Sequence, residues 1–229
     1  MKRAFFVTGT DTGVGKTLVS CALLHALARQ GLRAVGMKPV AAGCRVEDGQ
    51  LVSQLVSEDV EHLLAAGNVA AQPIEVNPYA FAPPLAPHIA AKQAGVVIDL
   101  DHVLQAFSAL QAKADVVVVE GIGGFRVPLN DTQDTVDLAV ALQQPVILVV
   151  GMRLGCLSHA LLTNDAIARA GLPLAGWVAN CIEPGMTALQ DNIAALEARL
   201  PAPRIATLPF NATADWRQMK MPGVEQLLA

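Results

Sequence analysis

The chain commits itself early. An apolar run, Ala4-Phe5-Phe6-Val7, enters Gly9-Thr10-Asp11-Thr12-Gly13-Val14-Gly15-Lys16-Thr17, and a helical pattern from Leu18 to Arg29 follows at once. This is a strand, a glycine-rich loop and a helix, with Gly-Lys-Thr at the junction. Glycines let backbone N–H groups close on phosphate oxygens, and the new helix adds free N–H groups and the positive end of its dipole. In such a loop Lys16 reaches the outer phosphates of a nucleotide and the Thr17 hydroxyl takes a place on Mg²⁺. The spacing is a variant of G-x-x-x-x-G-K-[ST]. Thr10 stands six residues before Lys16, and the first glycine comes one step earlier, at Gly9.

The rest of the chain repeats strand then helix. Strand-like runs cover Ala4 to Thr8, Ala34 to Pro39, Val116 to Glu120, Val146 to Val150, Ala175 to Ala179 and Ile205 to Leu208. Helical periodicity covers Leu18 to Arg29, Val60 to Ala66, Leu100 to Ala112, Thr135 to Leu142, Ser158 to Ala170 and Ala188 to Leu200. The runs at Val116 to Val119 and Pro145 to Val150 are continuously apolar, which means burial on both faces and hence a parallel sheet. With 53% hydrophobic and 16% charged residues, the 229-residue chain suits one buried sheet. The expected fold is α/β, a P-loop NTPase-type doubly wound, mainly parallel sheet with helices on both faces, as a single domain over residues 1–229.

Composition excludes several classes. The formal charge is −4, the 16 Lys and Arg are scattered and aromatics make up 4%, so no nucleic-acid surface is indicated. No apolar run approaches the roughly 18 residues of a membrane span. The loop lysine arrives too soon for a secretory signal, so a cytoplasmic protein is expected. Cys21, Cys44, Cys156 and Cys181 are far apart and read as free thiols. The five histidines show no zinc-ligand spacing.

In doubly wound sheets ligands sit at the carboxyl ends of the strands. The second strand ends at Lys38, either a solvated lysine or a second cation facing the loop. The third ends in Glu120-Gly121-Ile122-Gly123-Gly124, a carboxylate where a further Mg²⁺ contact is expected. Asp59 follows Ser57-Glu58 before a helix and reads alone as an N-cap. As a third Mg²⁺ contact it needs the 41–57 loop to fold over the phosphates. After the fourth strand, Gly155, Cys156, Leu157 and Ser158 offer N–H groups to an anion or, on local rules, an ordinary N-cap at Ser158. Asn180, ending the fifth strand, carries donor and acceptor for a purine edge. Pro209, Phe210 and Asn211 follow the sixth.

Together the segments TGTDTGVGKT (8–17), GMKPVAAG (36–43), VNPYAF (76–81), PHIAA (87–91), VVEGIGG (118–124), PVILVVGMRLGCLSHALLT (145–163) and GWVAN (176–180) resemble the dethiobiotin synthetase family, from the N-terminus to about Asn211. The resemblance implies an ATP-dependent ligase of biotin biosynthesis, with 7,8-diaminopelargonate and CO₂ as substrates, Mg²⁺ as cofactor and a homodimer as working unit. It further implies that Gly13, Val14, Gly15 and Lys16 cradle the phosphates, with Gly121 and Gly123 close by, and that Thr17, Asp59 and Glu120 hold Mg²⁺. Lys38 and Lys16 are then catalytic, and Thr12, Lys38 and Ala42 face the diamine. Asn180, Cys181, Pro209, Phe210 and Asn211 bind adenine, and Gly155 to Ser158 hold the tail carboxylate of substrate on a neighbouring subunit. Two positions depart from the family: Ala42, where relatives often carry Ser, and Gly13, where some carry an acidic residue.

Two rivals share the loop. Cobyrinate diamide synthetases usually add a glutaminase domain, for which a chain ending at Ala229 leaves no room. Partitioning and septum-positioning ATPases usually carry a lysine early in the loop, and Gly9 to Gly13 contain none.

Overall fold

The continuous apolar runs become neighbours in one sheet. The computed structural model describes residues 2–47, 54–211, 213 and 215–228. Along the chain come β1 (Arg3–Gly9), α1 (Lys16–Arg29), β2 (Ala34–Met37), β3 (Val40–Ala42), β4 (Arg45–Glu47) and β5 (Gln54–Val56). Next are α2 (Glu58–Ala66), α3 (Pro73–Val76), β6 (Tyr79–Phe81), α4 (Pro87–Gln93), α5 (Leu100–Lys113) and β7 (Val116–Glu120). Then follow α6 (Thr135–Leu142), β8 (Val146–Met152), α7 (Cys156–Arg169), β9 (Leu174–Cys181), α8 (Leu189–Glu197) and β10 (Arg204–Leu208). Two 3₁₀ turns, Trp216–Gln218 and Val224–Leu227, follow β10.

Six strands form the main sheet in the order β10-β9-β8-β1-β7-β2, and every neighbouring pair is parallel. From β1 the chain runs to the edge strand β2, returns through β7, and then winds out on the other side through β8, β9 and β10, which is a doubly wound arrangement. Side chains alternate across the sheet. On one face Phe5, Val7, Val116, Val118, Ile147 and Val149 pack under α1, with Leu63 of α2 and the 3₁₀ turns. On the other, Ala4, Phe6, Val117 and Val119 meet Val103, Phe107 and Leu110 of α5 and Leu138 of α6, while Leu148, Val150 and Trp177 meet α7 and α8. Among the described residues no helix is long and apolar enough to cross a membrane.

The expected helices and sheet strands are present with ends shifted by up to three residues. β2 stops at Met37, two residues short of Pro39, and β8 and β9 each run two residues further than expected. α8 ends at Glu197 rather than Leu200. Three helix starts differ for identifiable reasons. α1 begins at Lys16 because Gly15, at φ 85°, ends the loop. α2 begins at Glu58 with Ser57 as N-cap, so Asp59 lies inside the helix and does not cap it. α7 is preceded by Gly155 at φ 92°, so Ser158 is its third residue and not its cap. The sequence reading missed α3, α4, the parallel pair β3–β6 and the antiparallel pair β4–β5, which fill the chain from Val40 to Gln93.

At the end of the sheet remote from the loop, Asp115 fastens β2 to β7. Its Oδ2 accepts from the Arg33 backbone N–H at 2.9 Å, and its Oδ1 lies 2.8 Å from the Arg33 guanidinium. These contacts hold its carboxyl down to about 2, below the ordinary 3.8. A carboxylate lowered on folding stabilises above its unfolded value and loses that contribution as pH falls through the folded one. The difference in urea midpoint between the chain and Asp115→Asn is therefore expected to be constant above about pH 5. It should fade toward pH 2, and a difference that persists there rejects the account.

Candidate active site

Strand alternation decides which polar side chains can meet. In β7, Val116 and Val118 face α1, so Glu120, two residues on, faces it too. In β2, Ala34 faces α1 and Val35 and Met37 face away, so Lys38 continues the α1 side. At Gly36 a Cβ would stand 2.9 Å from Leu63 and 3.1 Å from Leu24, so α1 and α2 lie close on that face. Thr17 lies in the first turn of α1 and Asp59 in the first turn of α2.

These four residues form one cluster. Lys38 Nζ donates to Glu120 Oε1 at 2.6 Å and lies 2.8 Å from Asp59 Oδ2. Lys38 is thus a buried cation facing the loop, not a solvated lysine. Burial works against its charge, but Glu120 and Asp59 outweigh burial and raise its pKa. Burial likewise works to raise Asp59, and Lys38 turns the balance downward. Lys16, with no carboxylate this close, is pushed down to about 8 by burial and by the charge of Lys38. Asn77 holds the Lys38 backbone: its amide donates to the carbonyls of Lys38 at 2.6 Å and Tyr79 at 2.9 Å. Sequence reading missed this role; a buried Asn in an Asn-Pro turn was the available signal.

The oxygens here outnumber the protons. Thr17 Oγ1 lies 2.8 Å from Asp59 Oδ1 and 2.9 Å from Glu120 Oε1. One hydroxyl proton serves only one of these acceptors at a time. Glu120 Oε2 is buried with no partner. A hard divalent cation takes carboxylate and hydroxyl oxygens, so Thr17, Asp59 and Glu120 fit Mg²⁺. Asp59 makes its contact with Thr17 from the first turn of α2; of the 41–57 loop, residues 48–53 lie outside the described residues. Among the described residues no group of three or more His, Cys, Asp or Glu gathers to hold a metal without such help.

The glycine-rich loop is fitted between strand ends. A Cβ at Gly9 would come within 2.6 Å of Val14, and one at Gly151, in β8, within 2.8 Å of it. Asn180 Nδ2 donates to the Val14 carbonyl at 2.8 Å and crowds the Cα of Gly15. One amide N–H of Asn180 thus serves the loop, leaving its second N–H and Oδ1 for another partner. Lys16 Nζ donates back to the Asp11 carbonyl at 3.0 Å.

A cavity of about 680 Å³ opens over this cluster, and Thr12, Gly13, Gly15, Lys16, Thr17, Lys38, Ala42, Asp59, Glu120 and Gly123 line it. Its opposite wall, Pro84 to Pro87 with Ile122 and Val127, is apolar and was not foreseen. A polar floor under an apolar wall suits a ligand with charged groups on an aliphatic chain. A larger cavity, about 910 Å³, lies between α4 and residues 129–132 and gathers no comparable cluster. Several expected site residues lie outside the smaller cavity. The Gly121 N–H is used by the Val7 carbonyl at 2.9 Å. Pro209 to Asn211 follow Leu208, which pairs with Asn180, so they flank it at the sheet end. Phe210 is exposed, and Asn211 Oδ1 accepts from Thr213 in a local turn. Cys156 and Cys181 are buried at helix and strand ends, Leu157 is half-buried against the core, and Gly155 and Ser158 are exposed away from this cavity.

Comparison with known proteins agrees with this architecture. Residues 3–218 match the family described as AAA domain. The chain is 55% identical to the ATP-dependent dethiobiotin synthetase BioD of Nitrosospira multiformis, over 96% of this chain and 93% of that one. It is 52% identical to the protein of the same name from Aromatoleum aromaticum, over 96% and 98%. Among solved structures, the septum site-determining protein MinD of Pyrococcus horikoshii, complexed with Mg-ADP, superposes with a TM-score of 0.60 at 16% identity, covering 99% of this chain and 94% of that one. The MinD cell division protein of Aquifex aeolicus gives 0.56 at 14%, over 99% and 94%. At these identities the structural likeness is one of fold.

Two glycines separate strain from crowding. Gly15 and Gly31 have nearly the same φ, 85° and 83°, but Gly31 has open space around its Cα. Gly15→Ala and Gly31→Ala should each lower Tm by roughly 2–8 °C from left-handed strain. Only Gly15→Ala should weaken ATP binding, by about tenfold or more, in a calorimetric titration. Equal ATP affinities in the two variants would refute the crowding account.

Proposed function

The chain belongs to the ATP-dependent dethiobiotin synthetase family, and from that premise we propose that it makes dethiobiotin from 7,8-diaminopelargonate, CO₂ and ATP. Members of this family are ligases that form carbon–nitrogen bonds. One amine of the vicinal pair takes up CO₂ as a carbamate, and the carbamate oxygen attacks the γ-phosphorus of ATP. The second amine then attacks the carbonyl of the mixed anhydride. The cyclic urea closes, and phosphate leaves after ADP.

The observation that carries this reading is the buried Lys38. It is held charged by Glu120 and Asp59 opposite Lys16, at the floor of a cavity with an apolar wall. No covalent nucleophile is required. Lys38 orients the carbamate and, with Lys16, meets the charge on the transferring phosphoryl group. Thr12 and Ala42 face the diamine, and the Pro84 to Pro87 wall covers its methylene chain. Thr17, Asp59 and Glu120 hold Mg²⁺, which supplies charge neutralisation on the phosphates when bound. Asn180 Oδ1 and residues 209–211 receive adenine. The N–H groups of Gly155 to Ser158 receive the tail carboxylate of substrate on a neighbouring subunit, so the working unit is a homodimer.

Phosphate release from Mg-ATP and bicarbonate, measured with and without the diamine, tests this. Release is expected to require the diamine and to fall about a hundredfold or more in Lys38→Ala. Diamine-independent hydrolysis, unaffected at Lys38, would instead point to a switch ATPase. Ala42→Ser restores the hydroxyl common in the family, and the diamine KM should stay the same or fall modestly. A large loss of turnover in that variant would count against the placing of this loop.

A further inference from the structure

Asp11 is an odd residue for a loop that meets polyphosphate, because it adds a negative charge beside a strongly negative ligand. The structure shows what offsets it. Arg153 Nη2 lies 2.6 Å from Asp11 Oδ2. The other carboxylate oxygen, Oδ1, accepts the Thr12 backbone N–H at 2.7 Å. The Asp11 carbonyl accepts Lys16 Nζ at 3.0 Å. One residue thus touches two of the loop positions that line the cavity, Thr12 and Lys16, and one arginine holds it. Arg153 itself is fixed from behind. It follows Met152, the last residue of β8, and its carbonyl accepts the Cys156 N–H at 3.0 Å where α7 starts. β8 already touches the loop through Gly151 against Val14 and through the Val149 carbonyl, which accepts the Thr10 N–H at 3.0 Å.

We propose that Arg153 is a positioning residue for the phosphate loop: its guanidinium neutralises Asp11 and holds it so that the loop backbone and Lys16 are presented to an incoming triphosphate. The proposal rests on the loop being the nucleotide site and not on the identity of the diamine. Arg153 is also the residue immediately before the Leu154-Gly155 turn into α7, so the same side chain ties the loop to the segment assigned to the substrate's tail carboxylate. The pair is half-exposed, so its effect is modest and screened by salt.

Calorimetric titration of the chain and its variants with Mg-ATP, at low salt and at about 0.5 M, tests the proposal. Arg153→Ala should raise the Kd for ATP about fivefold at low salt, with the defect shrinking at high salt. Arg153→Lys, which keeps the charge, should stay within about twofold. Asp11→Asn removes the charge but keeps the oxygen for Thr12. The double variant Arg153→Ala/Asp11→Asn should therefore bind ATP better than Arg153→Ala alone, a non-additive cycle. An unchanged Kd in Arg153→Ala overturns the proposal. So does a salt-independent loss that the double variant shares and that tracks a lowered Tm, since that pattern assigns Arg153 a purely structural role. A chain that binds ATP in the expected pattern but turns over no diamine would overturn the proposed reaction and leave this inference standing.

Discussion

Lys38 and Glu120 enter the protein as a pair because neither can be buried alone. Their side chains are 5% and 0% exposed, and they touch at 2.6 Å. An uncompensated charge at such depth costs several kcal/mol, about 3–5 when one partner of a buried pair is removed. This pairing dictates the surroundings. β2 and β7 must lie side by side so that their ends deliver the two charges to one face. α2 must bring Asp59 across the top, and Asn77 must hold the backbone at the strand exit. The cluster of two lysines and two carboxylates is close to neutral by itself. It tolerates burial for that reason, and both lysines line the cavity.

The sheet order places this cluster. β1 lies between β7 and β8, at the point where the chain winds off in opposite directions, so the loop after β1 has strand ends on both sides. On one side stand Glu120 and Lys38, which carry charge. On the other stand Gly151 and Asn180, which carry shape and hydrogen bonds, and Arg153, whose half-exposed ion pair reaches only Asp11. The division is physical. One flank is dry and ionic, and the other packs directly on the loop backbone. The apolar wall closes the ionic flank and comes from the irregular chain between β6 and α4.

Much of this was legible beforehand, and the pattern of success follows range. Gly-Lys-Thr after an apolar strand is a local signal with a local meaning, and the uniform valines of β7 announce burial on both faces. Lys38 and Glu120 were singled out because strand ends are where such sheets place ligands, and the structure brings the two together. The local rule makes Asp59 an N-cap, since an acid before a helix usually caps it, but here contacts with Thr17 and Lys38, both more than twenty residues earlier in the chain, take the side chain. The hydrogen bond of the Asn180 amide to a carbonyl 166 residues earlier in the chain was not foreseen. The strands β3 and β6 have three residues each, too short for periodicity to mark. The Asp11–Arg153 pair joins residues 142 apart, and no composition or spacing announces it.

The contact between Asn180 and Gly15 has a consequence for how this protein can vary. The two positions occupy one volume: the amide of Asn180 stands where a side chain at 15 would begin, while its hydrogen bond to Val14 sets the height of the loop. Variation at the two sites is therefore not independent. A residue larger than glycine at 15, strained by φ 85° in any case, escapes the crowding only in a chain that has surrendered the amide at 180, and such a chain has lost its hold on Val14. The end of β9 and the turn before α1 thus form a single hereditary unit, although most of the chain separates them.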